Sequence, residues 1–240
     1  MMKDKVVLIA GGSGEIGQAC ADLFSRAGAK VVLAARNREK AEGKAKELND
    51  KGGEAYVIDL DVTSPASVSA MVKEVVDSLG SIDVLINAFG LGMILPLPEA
   101  EPEAIKEVLD VNTFGTILVT KAVLPHMSEK KSGKVIMIPG IIGKYVMRHS
   151  SVYSASKFAV AGFTKALVEE YKRDGIGFSL FYLGGVGTDF WDNPNVQMRV
   201  QKDKMLQPEE VAKAIYYAAT QPSPGVMNEI VIQPDSHQMV

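Results

Sequence analysis

The sequence predicts an α/β fold: a doubly wound, mostly parallel seven-stranded sheet with helices on both faces. Three observations carry this. Seven short runs rich in Val, Ile and Leu recur along the 240 residues. Most are separated by stretches with helical spacing, and strands separated by helices build βαβ units and a parallel sheet. The runs are largely apolar rather than alternating, as strands buried on both faces are.

The first run, "KVVLIA" (5–10), leads into a glycine cluster and the helical stretch "EIGQACADLFSRAG". "KVVLAA" (30–35) and "AYVIDL" (55–60) follow. The next helix, "PASVSAMVKEVVDSLG", opens with Ser64 as cap and Pro65 in the first turn, a helix-start signal. "DVLIN" (83–87), "KVIMI" (134–138), "GFSLFYL" (177–183) and "EIVIQ" (229–233) complete the set. No linker or break in composition interrupts it, so residues 1–240 are expected to form one Rossmann-type domain. In such a fold ligands sit beyond the carboxyl ends of the strands.

Composition narrows the function. The chain is 47% hydrophobic and 23% charged, with a formal net charge of -3. No basic stripe appears, so a nucleic-acid partner is not expected. Cys20 is the single cysteine and precludes an intramolecular disulfide. The apolar run at the N-terminus is too short for a signal peptide, and no run approaches membrane-spanning length, which implies a cytoplasmic protein without a membrane partner. His126, His149 and His237 lie far apart without ligand spacing, so no metal site is expected.

In "AGGSGEIG" (10–17), Gly12, Gly14 and Gly17 match G-x-G-x-x-G between a strand and a helix. The chain must turn tightly there and admit a pyrophosphate to the helix N-terminus. After the second strand, Ala35 stands where a ribose-binding acid is expected, and Arg36 follows. An acid would bind the 2′-hydroxyl; an arginine accommodates a 2′-phosphate. With Arg38 nearby, NADP(H) is favoured and NAD(H) is the second choice.

"YSASK" (153–157) places Tyr153 and Lys157 four residues apart, on one helix face. A tyrosine with pKa about 10 must drop by about three units, roughly 4 kcal/mol, to act near neutrality. A cation at about 4 Å supplies on the order of 4 kcal/mol at an effective dielectric near 20. One lysine, helped by a nicotinamide charge, is the right size of perturbation.

With "LDVT" (60–63), "NAFG" (87–90), "DVNTFG" (110–115) and "GGVGTDF" (184–190) in order, the chain resembles the compact branch of the short-chain dehydrogenase/reductase family over essentially its full length. The resemblance implies reversible hydride transfer between NADP(H) and a carbonyl or alcohol carbon of a small substrate. Tyr153 would donate or accept the substrate proton, and Lys157 would lower its pKa and hold the nicotinamide ribose. Asn112 would anchor a water in the relay through Lys157. Asp61 would bind the adenine amine, and Val186 and Thr188 the carboxamide end of the nicotinamide. Gly11, Ser13, Gly14, Ile16, Gly17, Val62, Asn87 and Gly90 complete the implied cofactor site with Arg36.

The chain also departs from the family pattern. Glu15 replaces the middle glycine of T-G-x-x-x-G-x-G, and Ala10 its threonine; Gly11, Gly14 and Gly17 then fit the spacing of the extended branch. Glu15 is expected to point away from the pyrophosphate, and Phe89, in place of alanine, to crowd the cofactor cleft. Leu183 replaces a proline. In "VIMIPGIIG" (135–143), Pro139 and Gly140 occupy the two serine positions of I-S-S-x-x-G. Losing the catalytic serine removes one carbonyl-polarising donor, worth on the order of 10²–10³ in rate. His149, Ser150 or Ser151, or a water at Gly140, are candidate substitutes. The alternative is a catalytically impaired nucleotide-binding regulatory or scaffold protein.

The segment 188–210 is expected to form a substrate lid, with Phe190, Trp191, Met198 and Met205 suggesting an apolar substrate. Small residues at Ala155, Ala159, Gly162 and Ala166 allow close helix approach. By resemblance that helix packs on its copy in a homodimer or homotetramer; packing on the sheet is the other reading.

Overall fold

A computed structural model describes residues 2–239. Seven strands, β1 Val6–Ala10, β2 Lys30–Ala35, β3 Glu54–Asp59, β4 Val84–Asn87, β5 Gly133–Met137, β6 Ile176–Leu183 and β7 Glu229–Ile232, form one sheet in the order β3-β2-β1-β4-β5-β6-β7. Every neighbouring pair is parallel. Each strand lies within one residue of its expected place.

Helices cover both faces, and strand alternation decides which residue meets which layer. Val7, Ile9, Val31 and Leu33 pack with helices α1 (Glu15–Arg26), α2 (Arg38–Asp50) and α7 (Pro208–Ala219). Val6, Leu8 and Val32 face the opposite layer, made by α3 (Pro65–Leu79), α5 (Thr116–Lys130) and α6 (Ser151–Tyr171). Ser64 caps α3 as expected, accepting the Ser67 N–H at 3.3 Å, and Gly80 ends the helix at φ 80°.

Helix α4 (Pro102–Leu109) runs into α5 through a π-helical turn, Asp110–Gly115. The combined helix, Pro102–Lys130, has the length and apolar content to cross a membrane, contrary to the expectation that no segment would. Half of its apolar window is buried within the fold, which explains its composition: it is a core helix.

The winding reverses between β1 and β4, and the crevice at that switch point opens where both strands end. The glycine cluster follows β1 there, and "NAFG" ends β4.

Candidate active site

The glycine loop is shaped by close approach. Gly11 has φ 91°, and a Cβ there would lie 2.7 Å from the Ala88 carbonyl carbon. A Cβ on Gly17 would meet the Gly11 oxygen at 2.5 Å, which seats the first turn of α1 on the loop. Gly14 is the N-cap of α1, exposed, and no side chain caps the helix. An uncapped helix N-terminus behind a glycine cradle fits a diphosphate.

A cleft of about 990 Å³ runs from this loop across the ends of β4, β5 and β6. Of the residues expected in the site, Gly14, Ile16, Gly90, Tyr153, Lys157, Val186 and Thr188 line it. Gly11, Ser13 and Gly17 form the loop behind. Arg36 and Asp61 are exposed just beyond the ends of β2 and β3. Arg38 is committed elsewhere, pairing with Glu42 at 2.7 Å and Asp59 at 2.9 Å. One oxygen of Asp61 accepts from the Thr63 N–H and hydroxyl, which hold its carboxyl below the usual range. Val62 is buried, and a Cβ on Gly115 would touch its side chain, so Val62 packs the core instead of lining the cleft. Asn87 lies buried beneath, its Nδ2 donating to Thr120 Oγ1 at 3.3 Å while its Oδ1 has no partner among the described residues.

Tyr153 and Lys157 share one face of α6 as expected. The Lys157 Nζ donates to the Ile138 carbonyl at 3.2 Å and lies 5.8 Å from the Tyr153 ring centre. Gly90 makes room for it: a Cβ there would stand 3.1 Å from that nitrogen. Lys157 is 6% exposed and has no carboxylate partner among the described residues. Burial pushes its ammonium down to about 8 and pushes the Tyr153 phenol above its ordinary value. Desolvation is the cause of both shifts, since burial disfavours the charged form of each group.

Asn112 is clamped by side-chain bonds. Its Oδ1 accepts from the Leu91 N–H at 2.7 Å; its Nδ2 donates to the Leu91 carbonyl at 2.8 Å and to Ser156 Oγ at 3.0 Å. Its own carbonyl accepts from Thr116 Oγ1 at 2.7 Å. The π-turn delivers Asn112 to this place, where it fixes the loop beside Gly90 to α6.

No serine stands at Gly140, and the backbone there differs from that of an ordinary residue. Gly140 has φ 68° and ψ 171°, a region essentially reserved for glycine. Its N–H is spent on the Phe181 carbonyl at 3.2 Å. Ser150 is buried, bonded to the Met147 carbonyl and to Ser154. Ser151 and His149 are exposed, and none of the three lines the cleft, so they do not replace the missing hydroxyl.

In the segment 188–210, expected to form a lid, the Phe190 ring lies 5.7 Å from that of Tyr153, and the Trp191 Nε1 donates to the Val186 carbonyl at 2.7 Å. Phe89 lines the cleft as expected. Three features were not foreseen. Lys40, in the first turn of α2, lines the cleft. The carboxylate of Glu15 accepts from the Asp189 N–H. The C-terminal tail, through Ser236, His237 and Met239, forms part of the cleft wall. No motif marks that tail, since it is placed by long-range folding.

The family model for short chain dehydrogenase matches residues 5–199. An uncharacterized oxidoreductase of Staphylococcus aureus strain MW2 is 34% identical over 234 residues, covering 98% of this chain and 99% of the relative. One from Staphylococcus epidermidis is 32% identical over 97% of this chain and 98% of its own. An alcohol dehydrogenase of the archaeon Thermococcus sibiricus, solved with 5-hydroxy-NADP, superposes with TM-score 0.89 at 26% identity, covering 98% of this chain and 99% of that one. A metagenomic short-chain oxidoreductase solved with NADP gives 0.85 at 27%, over 97% and 98%. Fold and site together define a nucleotide-binding oxidoreductase. The chain belongs to the short-chain dehydrogenase family.

Proposed function

We propose that this chain transfers a hydride between NADP(H) and a carbonyl or alcohol carbon of a small, largely apolar compound. The observation that carries the reading is the Tyr153–Lys157 pair, one helical turn apart at the wall of a cleft that begins at an uncapped glycine loop. Two structural neighbours were solved with NADP or its derivative, which supports the cofactor. Arg36, exposed after β2 with no acid at Ala35, supports NADP(H) over NAD(H).

Bound NADP(H) supplies the hydride. The glycine loop and the N-terminus of α1 would hold its diphosphate, Arg36 its 2′-phosphate and Asp61 its adenine. Val186 and Thr188 would hold the carboxamide. Tyr153 holds the proton that the substrate oxygen takes up. A raised phenol beside a lowered lysine leaves that proton on Tyr153 at rest, which suits reduction of a carbonyl. Asn112 keeps the Leu91 loop and α6 in register.

Fluorescence titration with NADPH and NADH, beside Arg36→Ala, tests the cofactor; the expected result is tighter NADPH binding that this variant weakens selectively. NADPH oxidation over a panel of ketones and aldehydes tests the chemistry, and activity unchanged in Tyr153→Phe would refute the proton donor. The second reading, a nucleotide-binding protein that does not turn over, is favoured by the backbone at Gly140. It predicts NADPH binding without oxidation on any carbonyl.

Ala155, Ala159, Gly162 and Ala166 are exposed, so they do not pack on the sheet. Leu109, Phe114 and Phe158 are exposed on the neighbouring turns of α4, the π-turn and α6. This surface supports a homodimer or homotetramer built on α6; sedimentation of Phe158→Glu as a smaller species than the parent is the expected result.

A further inference from the structure

We infer that the substrate carries an anionic group, a carboxylate, on its apolar body, and that Arg199 and Lys204 of the lid receive it. The inference rests on the oxidoreductase reading and deepens it. The substrate end of the cleft is lined by Met147, Met198, Met205 and Met239, unbranched side chains that adapt to an irregular apolar body. Arg199 and Lys204 line the same end, and neither enters an ion pair among the described residues.

The acids lining the cleft are Glu15 and Asp189. The Glu15 carboxylate is held on the Asp189 N–H, and both acids face Lys202, which itself pairs with Asp192 at 2.8 Å. These acids share one cation, Lys202, whereas Arg199 and Lys204 enter no ion pair among the described residues.

Both cations sit on an anchored strap. Residues 195–197 bond to Ile94, through the Ile94 N–H to the Asn195 carbonyl at 2.7 Å and the Gln197 N–H to the Ile94 carbonyl at 2.8 Å. Arg199 follows two residues later. At the other end, Leu206 bonds to Gly185 at 3.0 Å and to Gly187 at 2.9 Å, and Met205 presses on Gly185. Lys204 immediately precedes this second anchor.

The tail fixes the same point from above. Ser236 Oγ donates to the Lys204 carbonyl at 3.3 Å, and the Gln233 side chain holds Met239 through two bonds of 3.0 and 2.7 Å. A fixed apolar slot, beside cations that pair with no acid among the described residues, fits an amphipathic anion. Arginine adds bidentate recognition of a carboxylate.

The test compares levulinate, a 4-oxo acid, with its methyl ester and with 2-pentanone. Turnover is followed by NADPH oxidation, and binding by the fluorescence of enzyme-bound NADPH. The expected result is a kcat/KM for the acid at least tenfold above that for the ester. In the double variant Arg199→Gln, Lys204→Gln the acid-to-ester ratio falls at least tenfold. Equal or better use of the ester by the parent chain would overturn the inference. So would a variant that loses NADPH affinity instead, because the cations would then belong to the cofactor. If NADPH binds and no carbonyl is reduced, the oxidoreductase reading fails alone. The fluorescence arm still decides the anion site: acid-selective binding lost in the double variant upholds it, and no acid-selective binding refutes it.

Discussion

The carboxylate of Glu15 accepts the backbone N–H of Asp189 at 2.9 Å, tying the first turn of α1 to the segment that follows β6. The compact-branch pattern has a glycine at this position, which could make no such bond. Glu15 places an acid at the helix end proposed to hold a diphosphate, where two unit charges about 4 Å apart would repel by about 1 kcal/mol in water. Glu15→Gln keeps an acceptor for Asp189 and removes the charge. Fluorescence titration is expected to show NADPH binding about fivefold tighter in this variant. Weaker binding would mean that the charged hold on the lid outweighs the repulsion.

Lys157 is the clearest cost in the site. Its folded pKa of about 8 lies below the ordinary 10.5, because the buried ammonium is poorly solvated. Between those values the unfolded chain binds more protons than the folded one, so stability rises with pH from about 8 to 10.5. Below pH 8 both states are protonated and the full penalty applies. Lys157→Met removes it, less the bond to Ile138. Denaturant unfolding without cofactor is expected to show this variant more stable at pH 7 by roughly 1–3 kcal/mol, with the advantage shrinking above pH 8. Carbonyl reduction would be lost in the same variant.

Asn112 has the opposite balance. Its side chain satisfies both backbone groups of Leu91 and meets Ser156, and it is 1% exposed. Asn112→Ala deletes three bonds and strands their partners, so a loss of about 2–4 kcal/mol is expected by denaturant unfolding. A variant with unchanged stability and lost activity would instead show a purely chemical role.

Much of this was legible in the residues. The seven strands announce themselves because most are runs of apolar, β-branched residues, though the edge strands β3 and β7 are partly exposed, and Tyr153 and Lys157 meet because helical periodicity is local. Gly11 and Gly17 follow from the close approaches that a glycine loop implies. The Met239 wall and the Glu15–Asp189 bond were not legible, because both join residues far apart in sequence that only the folded sheet brings together. A spacing of four fixes the face that Tyr153 and Lys157 share but not how deeply the fold buries them. Nor does the letter at position 140 disclose its backbone angles.

Those angles decide what restoring a serine would do. Gly140 sits at φ 68° and ψ 171°, and a non-glycine residue there costs about 1–3 kcal/mol. Space is not the obstacle: an added Cβ has the Leu183 oxygen as its nearest neighbour within 4 Å, at 3.7 Å. Gly140→Ala reads the strain alone, and Gly140→Ser adds the hydroxyl. Both are expected to melt lower, by about 2–4 °C per kcal/mol. Their rates of NADPH oxidation are expected to agree within about tenfold, since a hydroxyl on a distorted turn is not a positioned donor. A serine advantage of about 10²-fold over alanine would show the reverse: that the hydroxyl alone had been limiting and the turn was ready to present it.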